Sequence, residues 1–224
     1  MMTELEAIEA RHSVRQYKDI PVPEDVRGQL KAFTNEVNAE SGLDIQIRFD
    51  DPEGFDSRLA HYGKFTNVNN YILLAGKKTK DFEFRCGYYG EKIVLRAQQL
   101  GLNTCWTALT YNRKYVRKIL PPGEALCMVI ALGIGETQGI LSRSKKYEDV
   151  AAVPTGFDGG PEWFKEGIAA ALKAPTAVNQ QKFFFTLDGG EVTACVKGIG
   201  SNTKVDLGIA VYHFEAVTGR KVKV

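Results

Sequence analysis

Two arginines and a serine lie close together near the start of the chain, in the pattern Arg11-x-Ser13-x-Arg15. In an extended or turn conformation alternate side chains share a face, so all three can converge. An arginine presents a planar fork of donors that suits a phosphate group, and a serine adds a small donor. The pattern therefore favours an anion-binding segment, although taken alone it is more typical of a solvated basic turn.

An uncharged loop of small and polar residues runs from Ala174 to Gln181, between a predicted helix and an aromatic strand. Its Asn and Gln side chains offer paired donors and acceptors that can match the edge of a heterocycle. Read by itself, the segment is a connecting loop that contains a turn. Its length and its lack of charge make it a candidate for holding a neutral ring system.

The elements that must position these residues are amphipathic helices that alternate with buried strands. Apolar spacing and end signals predict helices over residues 3–10, 82–100 and 113–120, one with apolar residues from Leu207 to Val217 that ends at Gly219, and two more that open at Pro23 and Pro161. Strand patterns cover residues 45–49, 71–75, 126–132, 183–187 and 192–196, the last two joined by an Asp-Gly-Gly turn. A turn through Trp106 and a loop over residues 50–64 complete the prediction. This order indicates an α+β fold, an α/β sandwich.

The second half of the chain repeats part of the first half. Three elements recur in the same order: a helix opened by Pro-Glu, a strand, and a helix with one apolar spacing that ends at glycine. Any two amphipathic helices can share that spacing, so the inference of an internal repeat rests on the shared order of the three elements. We expect one nearly full copy over residues 1–150 and a truncated second copy over residues 151–224. Small residues in the 82–100 helix predict close packing against another helix.

Composition and charge exclude several classes of protein. Lys and Arg number 29 against 27 Asp and Glu, so a nearly neutral chain without a long basic block is not expected to bind nucleic acid. The start of the chain lacks a signal-peptide pattern and no apolar run could span a membrane, which predicts a cytoplasmic location and no membrane partner. The cysteine spacings match no zinc pattern, and no metal is expected. Cys105, Cys127 and Cys195 lie in apolar or small-residue settings and are predicted to be buried, reduced thiols.

Taken together, these motifs resemble the FMN-dependent nitroreductase family. The family's opening motif is similar to Arg11–Tyr17, and its Ala-Pro-Ser-Ala-x-Asn-x-Gln motif is similar to Ala174–Gln181, with Thr in place of the usual Ser. A helix-and-turn segment of the family resembles residues 87–106. A glycine-rich strand end and the basic stretch after it resemble residues 132–136 and 143–145. The resemblance covers most of the chain and implies a nitroreductase-like fold.

The order of the motifs departs from the family pattern. In the family, the Ala-Pro-Ser-Ala-x-Asn motif follows soon after the first motif, whereas here it falls in the truncated second copy. Family members are homodimers that bind FMN in their interface, with one motif from each subunit. The resemblance therefore implies a fused pseudo-dimer, as in a small tandem subgroup, which binds one FMN per chain and is a monomer.

Carried over residue by residue, the resemblance implies three groups of FMN contacts. Arg and Ser side chains and a basic pair would bind the phosphate, the ribityl chain and the pyrimidine end, with His12 in the same turn and Lys64 at the pyrimidine edge. Backbone groups after Trp106 would lie near flavin N5, and the second-copy loop would line the ring. The implied residues are Arg11, His12, Ser13, Arg15, Lys64, Thr107, Ala108, Leu109, Arg143, Lys145, Pro175, Thr176, Ala177, Asn179 and Gln181.

The activity that the resemblance implies is a flavin-dependent oxidoreductase. NAD(P)H would dock transiently and reduce FMN, which would then reduce a small acceptor such as a nitroaromatic or a quinone in a ping-pong cycle. No dinucleotide-binding fingerprint is present, and no catalytic side chain is assigned because the flavin does the chemistry. Two alternatives stay open: a non-catalytic protein that binds or sequesters flavin, and a relic that has lost FMN.

Overall fold

The computed structural model describes residues 2–154 and 160–224, so residues 155–159 of the predicted second copy lie outside it. The helices are α1 (Glu4–Ala10), α2 (Glu24–Ser41), α3 (Arg58–Tyr62), α4 (Phe82–Gln99), α5 (Arg113–Ile119), α6 (Tyr147–Val150), α7 (Glu162–Ala171) and α8 (Thr203–Thr218). The strands are β1 (Gln46–Arg48), β2 (Asn70–Gly76), β3 (Asn103–Thr107), β4 (Ala125–Gly133), β5 (Ala151–Ala152), β6 (Phe183–Asp188), β7 (Glu191–Val196) and β8 (Val222–Lys223). This content confirms the predicted α+β class.

The chain forms two compact units, each assembled from separate stretches of sequence. The first unit comprises Ala10–Phe82 and Ile93–Leu141, and the second comprises Met2–Glu9, Glu83–Lys92 and Ser142–Val224. Each unit contains its own four-stranded sheet. The division predicted at residue 150 concerns sequence similarity rather than compactness, and it stays a prediction.

The sheet of the first unit has the strand order β1-β2-β4-β3, and every pair is antiparallel. Its two central strands are the continuous apolar runs of the sequence, and Ile72 lies opposite Ile130 with both side chains fully buried. Strands that are covered on both faces lose the polar alternation of half-exposed strands. One face packs on a core that includes Tyr71 and Leu73 together with Val14 and Tyr17 from the opening motif.

Two segments of the first unit differ from the prediction. The predicted turn through Trp106 is wrong, because Trp106 lies within β3 and pairs with Ile130 of β4. Residues 50–64 are also more ordered than a loop: they contain a 3₁₀ turn at Pro52–Gly54 and the short helix α3. The Ser57 hydroxyl accepts the Ala60 N–H at 3.2 Å and so caps α3, a local signal that the polar composition concealed.

The sheet of the second unit has the strand order β5-β6-β7-β8, and its central hairpin confirms the predicted turn. Gly189 and Gly190 form a two-residue loop with φ angles of 55° and 83°. Positive φ at both positions matches the right-handed twist of the flanking strands and strongly favours glycine. The side chains of β7 alternate, so Val192 and Ala194 are buried whereas Cys195 is exposed. The prediction that Cys195 is buried is therefore wrong, Cys127 is only half-buried, and Cys105 is buried as expected.

Aromatic packing joins helices and strands within the second unit. The Phe214 ring of α8 stacks on Phe185 of β6 with 5.2 Å between ring centroids, and it meets Phe164 of α7 at 5.7 Å. All three side chains are fully buried. The apolar spacing of α7 buries one face of that helix, as the sequence predicts. In α8 the prediction of a single buried face is wrong, because residues 205–214 are all buried and the helix is enclosed on every side.

Glycines allow α8 to approach the first half of α4 closely. A Cβ at Gly87 would clash with the carbonyl oxygen of Val205, and one at Gly208 would clash with the carbonyl oxygen of Phe84. Because each clash involves backbone rather than a movable side chain, neither position has room for a larger residue. The predicted close packing of the small residues is thus confirmed at Gly87.

A buried histidine and carboxyl pair lies in the same packing of the second unit. His213 Nε2 lies 2.8 Å from Glu91 Oε1, and both side chains are fully buried. His213 Nδ1 lies 3.0 Å from Ala170 O and must donate there, because a carbonyl oxygen only accepts. His213 Nε2 and Glu91 Oε1 therefore share one proton, and His213 has a structural role in the packing of the second unit.

Candidate functional site

The opening motif lies along the free edge of β3 in the first unit. Ser13 forms a parallel bridge with Thr104, and the Val14 N–H donates to Thr104 O at 3.0 Å. Val14 and Tyr17 are buried in the core, and the Tyr17 hydroxyl donates to Val14 O at 2.7 Å. Two apolar anchors and a strand edge thus fix the backbone between Arg11 and Tyr17.

Two other segments hold the same stretch from its far end. The Tyr17 N–H donates to Thr66 O, and the Thr66 N–H donates to Arg15 O, at 3.1 and 3.0 Å. The strand-end motif after β4 adds two more bonds, Lys18 N–H to Ile134 O and Glu136 N–H to Gln16 O. The glycine-rich sequence at 132–136 therefore supports the opening motif in this structure.

The side chains of the motif gather around a buried thiol. The pKa of Cys105 is raised because the thiol is buried, and the charge of Arg15, a hydrogen bond with Ser13 and the charge of Arg11 each oppose that rise. Arg11, Ser13 and Arg15 therefore each act on the same thiol within the first unit, and their joint binding of an anion stays a prediction. The sequence did not predict Cys105 as a site residue. The only sign of such a role was its position next to Thr104.

The burial of the motif does not follow the alternation of a regular strand. Arg11, Val14 and Tyr17 are buried, Ser13 is half-buried and Arg15 is exposed. The segment forms only isolated bridges rather than a continuous ladder, so its side chains need not point to opposite faces in turn. Arg15 accordingly offers a solvent-accessible guanidinium beside a largely enclosed one.

Lys64 and the turn after Trp106 lie on neighbouring loops of the first unit. Lys64 follows α3 with a φ of 61°, and the preceding Gly63 packs against Thr110 so closely that a Cβ would lie 2.7 Å from the threonine Cβ. The hydroxyls of Thr107 and Thr110 lie 2.7 Å apart and the Thr107 hydroxyl accepts the Thr110 N–H, which closes the turn over residues 107–110. The Leu109 side chain is 60% exposed.

The loop from Ala174 to Gln181 in the second unit has a strained backbone. Its 3₁₀ turn at Ala177–Asn179 includes Val178 with a φ of 45°, and Asn179 and Gln181 have φ angles of 54° and 43°. Left-handed backbone is costly for residues other than glycine, most of all for a β-branched one. Three such residues within four positions require tertiary contacts that hold the loop.

Side-chain amides of this loop bind the backbone of the basic stretch. Asn179 Nδ2 donates to Arg143 O at 2.6 Å, and Gln181 Oε1 accepts the Lys145 N–H at 2.7 Å. Lys145 Nζ donates in return to Gln181 O at 2.8 Å. Gln181 is buried and its Nε2 donates to Leu172 O, so this side chain positions the loop.

Pro175, Thr176 and Ala177 are half-buried at the start of the loop. The Thr176 hydroxyl accepts the Gln181 N–H at 3.0 Å, and the Ala177 N–H donates to a carboxylate oxygen of Asp206 at 2.9 Å. Asp206 is another residue that sequence reasoning did not assign, because a carboxylate inside an apolar helix carries no motif.

The predicted residues thus form two sets, one in each compact unit. One set, in the first unit, contains Arg11, His12, Ser13, Arg15, Lys64, Thr107, Ala108 and Leu109. The other set, in the second unit, contains Arg143, Lys145, Pro175, Thr176, Ala177, Asn179 and Gln181. Each set presents cationic and small polar donors on fixed backbone, which is the donor chemistry that a phosphate group and ring carbonyls require. The residues therefore fit the group that the resemblance implies.

Other kinds of site find less support in the described part of the chain. Residues 2–154 and 160–224 contain no group of three or more His, Cys, Asp or Glu that could hold a metal ion. A cavity of about 430 Å³ in the first unit contains none of the predicted residues, and its lining includes Tyr111, Arg113, Arg117 and Glu124. Among the helices described, none combines the length and the apolarity that a membrane crossing requires.

Comparison with known proteins gives a family and several related folds. The model of the family described as "Putative TM nitroreductase" matches residues 4–218. The crystal structure of a "putative nitroreductase" from Thermotoga maritima MSB8 is 24% identical, with a TM-score of 0.68 over 96% of this chain and 83% of that chain. No match was found among curated proteins.

Two shorter structures share part of the fold. One, from Parabacteroides distasonis ATCC 8503, is described as "Putative NADH dehydrogenase/NAD(P)H nitroreductase"; it is 21% identical, with a TM-score of 0.52 over 69% of this chain and 98% of that one. A protein of the same description from Bacteroides thetaiotaomicron VPI-5482 is 23% identical, with a TM-score of 0.51 over 66% and 95% of the two chains. These similarities show a common fold.

Proposed function

The chain belongs to the nitroreductase family whose model spans residues 4–218, and from this premise we propose that it is an FMN-dependent oxidoreductase. NAD(P)H is the proposed electron donor, and a small nitroaromatic or quinone is the proposed class of acceptor. The observation that carries the proposal is that both motifs which resemble the family's FMN-binding motifs stand on fixed backbone inside this family's fold.

Bound FMN would supply two-electron chemistry between a nicotinamide and an acceptor, so the protein's part is to bind, orient and stabilise. In the first set, Arg11 and Arg15 offer guanidiniums for the phosphate or for negative charge on the pyrimidine edge, and Ser13 offers a hydroxyl. Cations fixed before the reaction stabilise developing negative charge without reorganising. We assign no side chain as an acid or a base, in keeping with a ping-pong exchange of donor and acceptor.

In the second set, Arg143 and Lys145 offer further positive charge for the phosphate. Their backbone is held by Asn179 and Gln181, so the loop sets where these cations stand. We propose that both sets contribute to binding the same FMN, one per chain, and that the chain acts as a monomer. The half-buried Pro175, Thr176 and Ala177 are the proposed contacts to the ring.

The first test is spectroscopic. We expect the purified protein to be yellow, or to become so on reconstitution with FMN, and to retain the flavin through gel filtration. Addition of NADH or NADPH without oxygen should bleach the flavin bands, and a nitroaromatic or a quinone should restore them.

The outcomes separate the candidate functions. A colourless protein that cannot be reconstituted contradicts the proposal and favours a relic that has lost FMN. A yellow protein that is bleached by dithionite, but by neither NADH nor NADPH, favours a flavin-binding protein without turnover.

A further inference from the structure

A buried carboxylate on α8 binds the strained loop of the second unit at two points. Asp206 is only 2% exposed. One of its oxygens accepts the Ala177 N–H at 2.9 Å and the other accepts Gln180 Nε2 at 2.7 Å. Hydrogen bonds to an ionised acceptor are stronger than neutral ones, so these two contacts are the strongest type available to the loop.

These contacts fall on the part of the loop that needs support. Ala177 and Gln180 flank Val178 and Asn179, whose left-handed backbone is unfavourable without external contacts. Gln180 Nε2 also donates to Ser201 O at 2.7 Å, which ties the same side chain to the turn before α8. Asp206 therefore binds both ends of the strained turn from a helix that is packed into the core.

The loop in turn determines where the basic stretch lies. Asn179 Nδ2 donates to Arg143 O, and Gln181 binds Lys145 at both its N–H and its ammonium group. A series of hydrogen bonds thus links Asp206 to the loop, and the loop to the Arg143 carbonyl and to the N–H and ammonium groups of Lys145. Every member of the series lies within the second unit.

We propose that Asp206 is a positioning residue for FMN binding, which holds the 175–181 loop, and through it Arg143 and Lys145, in the conformation that accepts the flavin. The inference deepens the proposed function and rests on it. Asp206 itself contacts no flavin atom in this proposal, since both of its oxygens bind the loop.

The ionisation of Asp206 gives the proposal a pH dependence. Burial raises the pKa of Asp206 to about 6, and the hydrogen bonds from Ala177 and Gln180 oppose that rise. Above this pH the carboxylate accepts both donors, whereas below it one oxygen carries a proton and one of the two bonds is weakened. The loop is therefore held most firmly above pH 6.

Charged groups on the surrounding elements are not among the causes of that pKa. The ionisable residues of these elements are Lys204, Tyr212, His213 and Glu215 on α8, Glu83, Arg85, Cys86, Tyr88, Tyr89, Glu91 and Lys92 on the packed part of α4, Glu162, Lys165 and Glu166 on α7, Asp188, Glu191 and Cys195 on β6 and β7, and Lys173, Lys182 and Lys197 beside these elements. Burial and two hydrogen bonds thus account for the titration, and substituting Asp206 should abolish it.

The test uses Asp206→Asn, which preserves shape but presents an NH₂ group to one of two donors. We expect the FMN dissociation constant at pH 8 to rise about 10-fold or more, the size of a lost charged hydrogen bond. Glu166→Gln removes an exposed carboxylate from α7 and should leave the constant unchanged. Because the phosphate of FMN also titrates near pH 6, riboflavin binding is measured in parallel.

A second readout needs no flavin. In the apoprotein, the ¹⁵N amide shift of Ala177 should titrate with a midpoint near 6 in the wild type and stay flat in Asp206→Asn. Equal FMN affinity in Asp206→Asn and the wild type, with an Ala177 amide that does not titrate, overturns the inference. A wild type that binds no FMN overturns the proposed function and the flavin part of this inference. In that case, a titrating Ala177 amide would show that Asp206 still holds the loop and that only the flavin role is wrong.

Discussion

Arg11 and Asn179 stand in different units of the structure, and the proposed function assigns both to the binding of one FMN. We expect Arg11→Ala to weaken FMN binding by about 1.5–3 kcal/mol, the loss of a charge-assisted contact. Asn179→Ala removes the neutral bond to Arg143 O and should cost about 0.5–1.5 kcal/mol. Both affinities are measured by quenching of flavin fluorescence.

Matched variants guard this comparison. Arg117→Ala and Asn35→Ala remove an exposed Arg and an exposed Asn from helices of the first unit and should leave the affinity unchanged. Because Arg11 is buried, Arg15→Ala serves as a second variant at an exposed position of the same motif. Unaltered FMN affinity in Asn179→Ala would remove the support for a flavin role of the second-unit loop.

The cysteines make a separate prediction at the same scale. Cys195 is exposed, whereas burial raises the pKa of Cys105, so the Cys105 thiol stays protonated and enclosed at pH 8. Thiolates rather than thiols react with iodoacetamide. We expect mass spectrometry of the native protein to find Cys195 labelled first and Cys105 and Cys86 protected until denaturant is added. Labelling of Cys105 as fast as Cys195 would contradict the burial of the opening motif's thiol.

Individual site residues could be predicted where they belong to a short motif. They could not be predicted where only tertiary packing brings them to the site. Arg11, Ser13 and Asn179 belong to short patterns that can be read along the chain. Cys105 and Asp206 reach the predicted residues through space, across a strand edge and from a distant helix, and no local pattern marks such contacts.

At the scale of elements, a substitution of the helix glycine Gly87 tests the packing of α4 on α8. Gly87→Ala places a Cβ against the carbonyl oxygen of Val205, and overpacking of this kind costs about 1–3 kcal/mol of unfolding free energy. Gly28→Ala is the matched control, because a Cβ on α2 at Gly28 meets nothing within 4 Å. That change should stabilise by about 0.5–1 kcal/mol, the ordinary advantage of alanine over glycine in a helix.

Urea unfolding of both variants and the wild type measures the two effects, which are expected to have opposite signs. If Gly87→Ala were as stable as Gly28→Ala, the close approach of the two helices would be wrong. The comparison does not depend on flavin, so it tests the fold independently of the proposed function.

The elements that the sequence predicted are those with long periodic patterns, such as α4, α8, β2 and β4. The elements that it missed are short or owe their form to a partner. β5 and β8 have two residues each and exist only through pairing with β6 and β7. β3 escaped prediction because its five residues include polar Asn103 and two threonines, and its strand form comes from the ladder with β4.

At the scale of the whole molecule, each compact unit combines separate stretches of sequence, which a single division point along the chain cannot describe. Residues 2–9 and 83–92 group with the C-terminal part of the chain, although the two stretches of the first unit, Ala10–Phe82 and Ile93–Leu141, separate them from it in sequence. Compactness depends on tertiary contacts such as the bond from Tyr212 to Glu4, whose partners lie at opposite ends of the chain. The internal repeat is a different claim, about sequence similarity, and it stays a prediction.

Stoichiometry provides the last prediction, because each flavin motif occurs once in the 224 residues. If both motifs of one chain serve the same FMN, titration should saturate at one FMN per chain, and light scattering should give the mass of a monomer. A dimer that binds two FMN would leave a second possibility, in which each flavin uses one motif from each chain. Mixing Arg11→Ala with Asn179→Ala separates the two cases. Motifs that act within one chain leave every molecule of the mixture defective, whereas motifs that act between chains restore wild-type affinity at a fraction of the sites.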